Sequence, residues 1–106
     1  MGTQLKYLND DNFVQDIASG VTLVDFYADW CGPCRMMEPG IEELAAEMEG
    51  KAKIAKLDIE SAQRTTSTFN VTSIPTLILF KNGQEVERFV GVKSKEDLNR
   101  IISKHL

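Results

Sequence analysis

The chain has 106 residues, 42% of them apolar and 26% charged, which suits one domain with a core of its own. A net charge of −4 with no basic run argues against a nucleic acid or an anionic membrane as the main partner. No apolar run approaches the roughly 20 residues of a membrane helix. The start Met1-Gly2-Thr3-Gln4-Leu5-Lys6 lacks a basic and then apolar leader, and Lys6 stands where a myristoylation start needs Ser or Thr, so the cytosol is the expected compartment.

Leu5 to Leu8 reads as a first strand, after which Asn9 or Asp10 caps a helix with Phe13, Val14 and Ile17 on one face, ended by Gly20. A strand starts again at Leu23. Its run to Ala28 is rich in β-branched and aromatic residues and is interrupted only by Asp25, the pattern of a central strand covered on both faces. Gly32 and Pro33 break it, and Pro33 fits the first turn of a helix, where its missing N–H is not needed. That helix carries Met36, Met37, Ile41, Leu44, Ala45 and Met48 at helical spacing. A kink is expected at Pro39-Gly40 and an end at Gly50. The two methionines near its start read as core filler rather than as ligands.

Lys53 to Ile59 alternates as a third strand. Ser61 to Phe69 reads as a short helix, although Thr65, Thr66 and Thr68 each disfavour helix by roughly half a kcal/mol relative to Ala. Ile74-Pro75 leads into the strand Thr76 to Phe80, and Asn82-Gly83 is a two-residue hairpin turn that returns the chain along Glu85 to Val90. Ser94 caps the last helix, with Glu96 and Asp97 in its first turn and Leu98, Ile101, Ile102 and Leu106 on its buried face. The pattern is an α/β fold in a single domain spanning residues 1 to 106, with a mixed sheet between helices.

The only two cysteines fall where the central strand turns into its helix. Cys31 lies just before or at the helix start and Cys34 about one turn inside. Free backbone N–H groups and the positive end of the helix dipole therefore favour a thiolate at Cys31. Cys34 can come back within bonding distance and resolve a mixed disulfide formed at Cys31. As a structural staple the pair is poor, since so short a ring constrains the unfolded chain about 1 kcal/mol less than a 15-residue one. A closed zinc centre needs four ligands, and the chain offers these two and the penultimate His105, so no metal is expected except one shared between two chains. In the cytosol a lone Cys pair points to redox catalysis.

Trp30-Cys31-Gly32-Pro33-Cys34 resembles the active-site signature of the thioredoxin family, itself the standard example of a Cys-X-X-Cys redox motif. Val24-Asp25-Phe26, Pro39, Lys56, Ile74-Pro75-Thr76, Lys81-Asn82-Gly83 and Val90-Gly91 follow the family's order and approximate spacing, so the resemblance covers nearly the whole chain. It implies the thioredoxin fold, a central mixed sheet flanked by helices on both faces, and a protein-disulfide reductase. Disulfide-containing proteins would be the substrates and a separate thioredoxin reductase the electron donor. No nucleotide-binding fingerprint is present, and no bound cofactor is expected. A monomer is the expected state.

The resemblance also implies roles for further residues. Asp25 would take the proton from Cys34, with Lys56 nearby; the plainer readings are a carboxylate reaching solvent or an ion-pair partner, and a solvated strand lysine. Pro75 would be cis and lie against the Cys pair, leaving the Ile74 backbone for a substrate strand; the plain reading is a strand start where no ladder donor is wanted. Trp30, Gly32, Pro33, Ile59, Ser73, Ile74, Gly91 and Val92 would flank the thiols as a shallow apolar patch. For Ile59 and Val92 simple core packing is an equal alternative, and Gly91 can be present for its backbone alone. The chain departs from the family pattern at Tyr27, where many members have Trp, at Gly40, and in Ser61 to Thr68, which lacks the usual Asn-Pro.

Two other functions stay in view. A disulfide oxidase or isomerase of the same fold usually carries His between the cysteines, where this chain has Gly32-Pro33. A redox-independent binding module using the Trp30 and Ile74 patch would keep its partner after Cys31→Ser and Cys34→Ser.

Overall fold

A computed structural model of the chain describes residues 5 to 106; Met1 to Gln4, on which the leader and myristoylation readings partly rest, lie outside the described residues. The elements are β1 (Leu5–Leu8), α1 (Phe13–Ile17), β2 (Val21–Tyr27), α2 (Gly32–Glu47), β3 (Lys53–Asp58), α3 (Gln63–Thr68), β4 (Thr76–Lys81), β5 (Gln84–Val90) and α4 (Lys95–Ser103). The strands form one mixed sheet in the order β1-β3-β2-β4-β5. β3 runs parallel to both β1 and β2, whereas β4 runs antiparallel to β2 and to β5.

β2 is central, and its residues from Val21 to Phe26 are all buried. Side chains alternate across a strand, so its two faces feed two cores. Leu23 packs with Met37, Ile41, Leu44, Ile54, Leu77 and Leu98, beneath α2 and α4. Val24 and Phe26 pack with Phe13, Ile17, Ala62 and Phe80, beneath α1 and α3. The rings of Phe13, Phe69 and Phe80 meet pairwise at centroid distances of 5.3 to 5.5 Å, the two pairs with Phe80 edge to face. Helices thus cover both faces, as the pattern predicts.

The loops obey local chemistry. Asn82 and Gly83 both have positive φ, which a two-residue hairpin between twisted strands requires. Ser94 Oγ accepts the Asp97 N–H at 3.1 Å and caps α4. Ser94→Ala should lower stability by about 1 kcal/mol in urea denaturation, with no change in redox behaviour. The start of α3 is held from a distance: Asp10 accepts the Thr65 hydroxyl at 2.7 Å and the Thr65 N–H at 2.8 Å, which holds its carboxyl below the usual range.

Several expectations are corrected. Asn12, not Asn9 or Asp10, occupies the position before α1, while Asn9 accepts the N–H groups of Asp11 and Asn12 and shapes the turn ahead of it. Val14 and Met36 are exposed, because each lies off the stripe that faces the sheet. Leu106 is exposed since α4 ends at Ser103. In β5 only Phe89 packs on the core. The register slips from Leu79 opposite Glu87 to Phe80 opposite Glu85, leaving Val86 as an extra residue in a bulge.

Candidate active site

β2 delivers the chain to the redox pair. Cys31 is the cap residue of α2, with extended backbone, and Gly32 and Pro33 form the first helical positions. The Cys31 Sγ accepts the Cys34 backbone N–H at 3.2 Å, so the sulfur occupies the place that a capping oxygen takes elsewhere. The two sulfurs are joined in a disulfide, with the Cα atoms 5.2 Å apart. Both cysteines are buried, packed with Ala28 and flanked by Tyr27, Ile59 and Ile74. The free N–H groups of the first turn and the positive end of the α2 dipole lie at Cys31, whereas Cys34 sits one turn inside.

Cys34 begins the stripe of α2 that continues through Met37 and Ile41 onto the sheet. The face beneath that stripe carries Leu23 and, two residues on, Asp25. Asp25 stands opposite Lys56 of β3 on one side and Leu77 of β4 on the other. It is 1% exposed, and neither carboxylate oxygen meets a hydrogen-bond donor among the described residues. Burial pushes its pKa up from 3.8 to about 6; Lys56 pulls it down and Glu38 pushes it up. The plain reading of Asp25 as a solvated or paired carboxylate is therefore corrected.

Lys56 is buried too, which overturns the solvated alternative. Its ammonium lies 3.3 Å from Glu38 Oε2 and 4.2 Å from the centroid of the Tyr27 ring, and it is not hydrogen-bonded to Asp25. Tyr27 is largely covered, and burial raises its phenol to about 12. Glu38 is the residue that sequence reasoning missed. The signal was its position four residues after Cys34, which places it one turn further along α2 on nearly the same side.

Around the disulfide, the Ile74–Pro75 bond is cis and Pro75 is buried. The Pro75 carbonyl accepts the Gly91 N–H at 2.9 Å, which ties the loop Gly91 to Ser94 to the approach of β4. Gly91 has φ +103 and open space where a Cβ would stand, so its backbone conformation accounts for the glycine. Trp30 is 64% exposed and its indole N–H donates to Glu60 at 2.7 Å. Val92, half exposed, is not a core residue, whereas Ile59 is partly buried and packs on both the aromatic core and the cysteines. Gly32 is partly covered, and Pro33 and Ser73 are exposed. Met36 and Val92 border a groove of about 190 Å³ between α2 and the loop before α4. Far from this site, His105 bonds Glu87 of β5 at 2.7 Å.

Comparison with known proteins agrees with this geometry. The family model described as Thioredoxin matches residues 4 to 104. A thioredoxin of Chlamydia muridarum is 54% identical over 101 residues, which cover 95% of this chain and 98% of that protein. A thioredoxin of Staphylococcus saprophyticus is 52% identical over 99 residues, covering 93% and 95% respectively.

Proposed function

Because the chain belongs to the thioredoxin family, a family of dithiol/disulfide oxidoreductases, we propose that it reduces protein disulfides through named steps at Cys31, Cys34 and Asp25. The Cys31 thiolate attacks one sulfur of the target disulfide, and the other target sulfur leaves as a thiolate that takes up a proton. Cys34 then gives its proton to the Asp25 carboxylate and attacks the Cys31 sulfur. The Cys31–Cys34 disulfide forms, and the second target sulfur leaves as a thiolate that takes up a proton. Two electrons have passed to the target, and a separate thioredoxin reductase supplies the two that open the Cys31–Cys34 disulfide again.

One observation carries this assignment: the Cys31 sulfur caps α2 and accepts the Cys34 N–H, while Cys34 sits inside the helix. An asymmetric pair has one good nucleophile and one internal resolver. The exposed Trp30, Met36 and Val92, with Ile59 and Ile74 against the sulfurs, suit an extended apolar segment of a protein substrate. Pro75 and Gly91 set the backbone that frames it, and Lys56 supplies a positive charge beside Asp25. We read the chain as one domain acting as a monomer in the cytosol. Among the described residues, no helix is long and apolar enough to cross a membrane.

The direction of electron flow is tested by the reduction potential. The disulfide is equilibrated in thiol buffers of graded composition and its free thiols counted by alkylation. The reference value for thioredoxin itself is about −270 mV, against about −180 to −120 mV for isomerases and oxidases. A midpoint near the lower value supports reduction; one near the upper range turns the reading into oxidation or isomerisation.

A further inference from the structure

Lys56 has two carboxylates to choose between, and its choice is unequal. A buried ammonium needs a partner. Asp25 lies directly opposite it in the β2–β3 register, and both side chains project to the face under α2. Yet the ammonium stands 3.3 Å from Glu38, on α2, and over the Tyr27 ring. Asp25, 1% exposed, keeps two oxygens without a donor among the described residues. Among the described residues, the charges acting on the Asp25 carboxyl are those of Lys56 and Glu38, while β2 contributes the Tyr27 ring and β4 contributes Leu77.

We propose that Glu38 is a positioning residue of the redox site: by holding the Lys56 ammonium at its own carboxylate, it keeps that cation from pairing with Asp25. The proposal rests on the reading of Asp25 as the proton acceptor for Cys34. An Asp25 carboxylate paired with Lys56 is a weak base and holds its proton poorly. An Asp25 left alone in an apolar setting binds and gives up a proton near the pH at which disulfide exchange runs. Glu38 acts in two ways with the same sign, as a negative charge in its own right and as a competitor for Lys56. Its side chain is 45% exposed, so an uncharged replacement leaves the core packing untouched.

The test compares the parent, Glu38→Gln and Glu38→Asp. Carboxyl carbon NMR of the labelled protein follows Asp25 through a pH titration, with Asp25→Asn identifying the signal. The rate at which Cys34 resolves a mixed disulfide formed at Cys31 is measured over the same range by rapid mixing. In Glu38→Gln the freed Lys56 should move the Asp25 midpoint down by about one pH unit, in line with an opposite charge arriving nearby. Glu38→Asp, which restores the charge, should bring most of it back. The acidic limb of the release profile should move with the midpoint. An unchanged or higher midpoint in Glu38→Gln overturns the proposal whatever the rates do. A lowered midpoint with an unmoved release profile upholds the hold of Glu38 on the carboxyl and removes Asp25 from the proton transfer.

Discussion

Cys31→Ser is expected to lower the rate of protein-disulfide reduction by about three orders of magnitude or more, the scale on which removal of an enzymic nucleophile is felt. Serine keeps the cap at the start of α2, since its oxygen accepts the Cys34 N–H as the sulfur does, so the fold should survive. What is lost is the thiolate that the cap stabilises. Cys34→Ser should behave differently. Attack by Cys31 proceeds, but nothing resolves the product, and one substrate chain stays bound per molecule. Mass spectrometry without reductant counts that adduct, and peptide mapping places it. An adduct at Cys34 in Cys31→Ser, formed as fast as the Cys31 adduct in Cys34→Ser, would reverse the assigned roles. Partner capture that persists in both variants without any adduct would favour a binding module.

The second large effect concerns stability and its dependence on pH. Asp25 has a pKa of about 6 in the folded chain against an ordinary 3.8, because burial penalises its charge. The folded state therefore binds this proton more tightly than the unfolded state. The stability that the protonated group contributes is fully present below about pH 3.8 and is lost as pH rises through 6. A difference of about two pH units amounts to about 3 kcal/mol. Asp25→Asn removes the titration and keeps the shape. Urea denaturation should show the variant more stable than the parent by up to about 3 kcal/mol at pH 7 to 8, with the gain vanishing towards pH 4. Other carboxylates titrate in both proteins, so the difference isolates Asp25. A gain that is the same at every pH would mean that the carboxylate is not the cause.

The same substitution should cost function. Without the carboxylate, release of the mixed disulfide should slow by about two orders of magnitude and lose its acidic limb, as expected when a general base is removed. A rate profile identical to the parent's would take Asp25 out of the mechanism. Gain in stability and loss of rate from one change would mark Asp25 as a group kept for its chemistry at a cost to the fold.

The sequence disclosed what depends on short spacing. The Cys pair, Pro33 in the first turn, Asn82-Gly83 and the Ser94 cap all act within a few residues, and each lies where it was expected. Asp25 was visible as an anomaly, one carboxylate in an apolar strand. Lys56 was not decided, because its burial depends on α2 crossing over β3, which no local pattern states. Met36 and Met37 are neighbours in sequence, and only the docking of α2 decides that one is core and the other groove. The hold of Asp10 on α3 joins residues 55 apart and has no local signature. The bulge at Val86 had a faint one, since Val86 and Phe89 are out of phase for a regular strand.

That bulge bears on how copies of the molecule behave towards one another. β5 is an outer strand with an open row of backbone donors and acceptors, the kind of border along which two chains can zip together. The displaced Val86 interrupts the row, and Glu85, Glu87 and Arg88 crowd it with charge, Glu85 and Arg88 joined at 2.8 Å. The opposite border, β1, spans four of the described residues, Leu5–Leu8, and carries Lys6. Both borders of the sheet therefore offer a second copy of the chain little regular backbone to pair with.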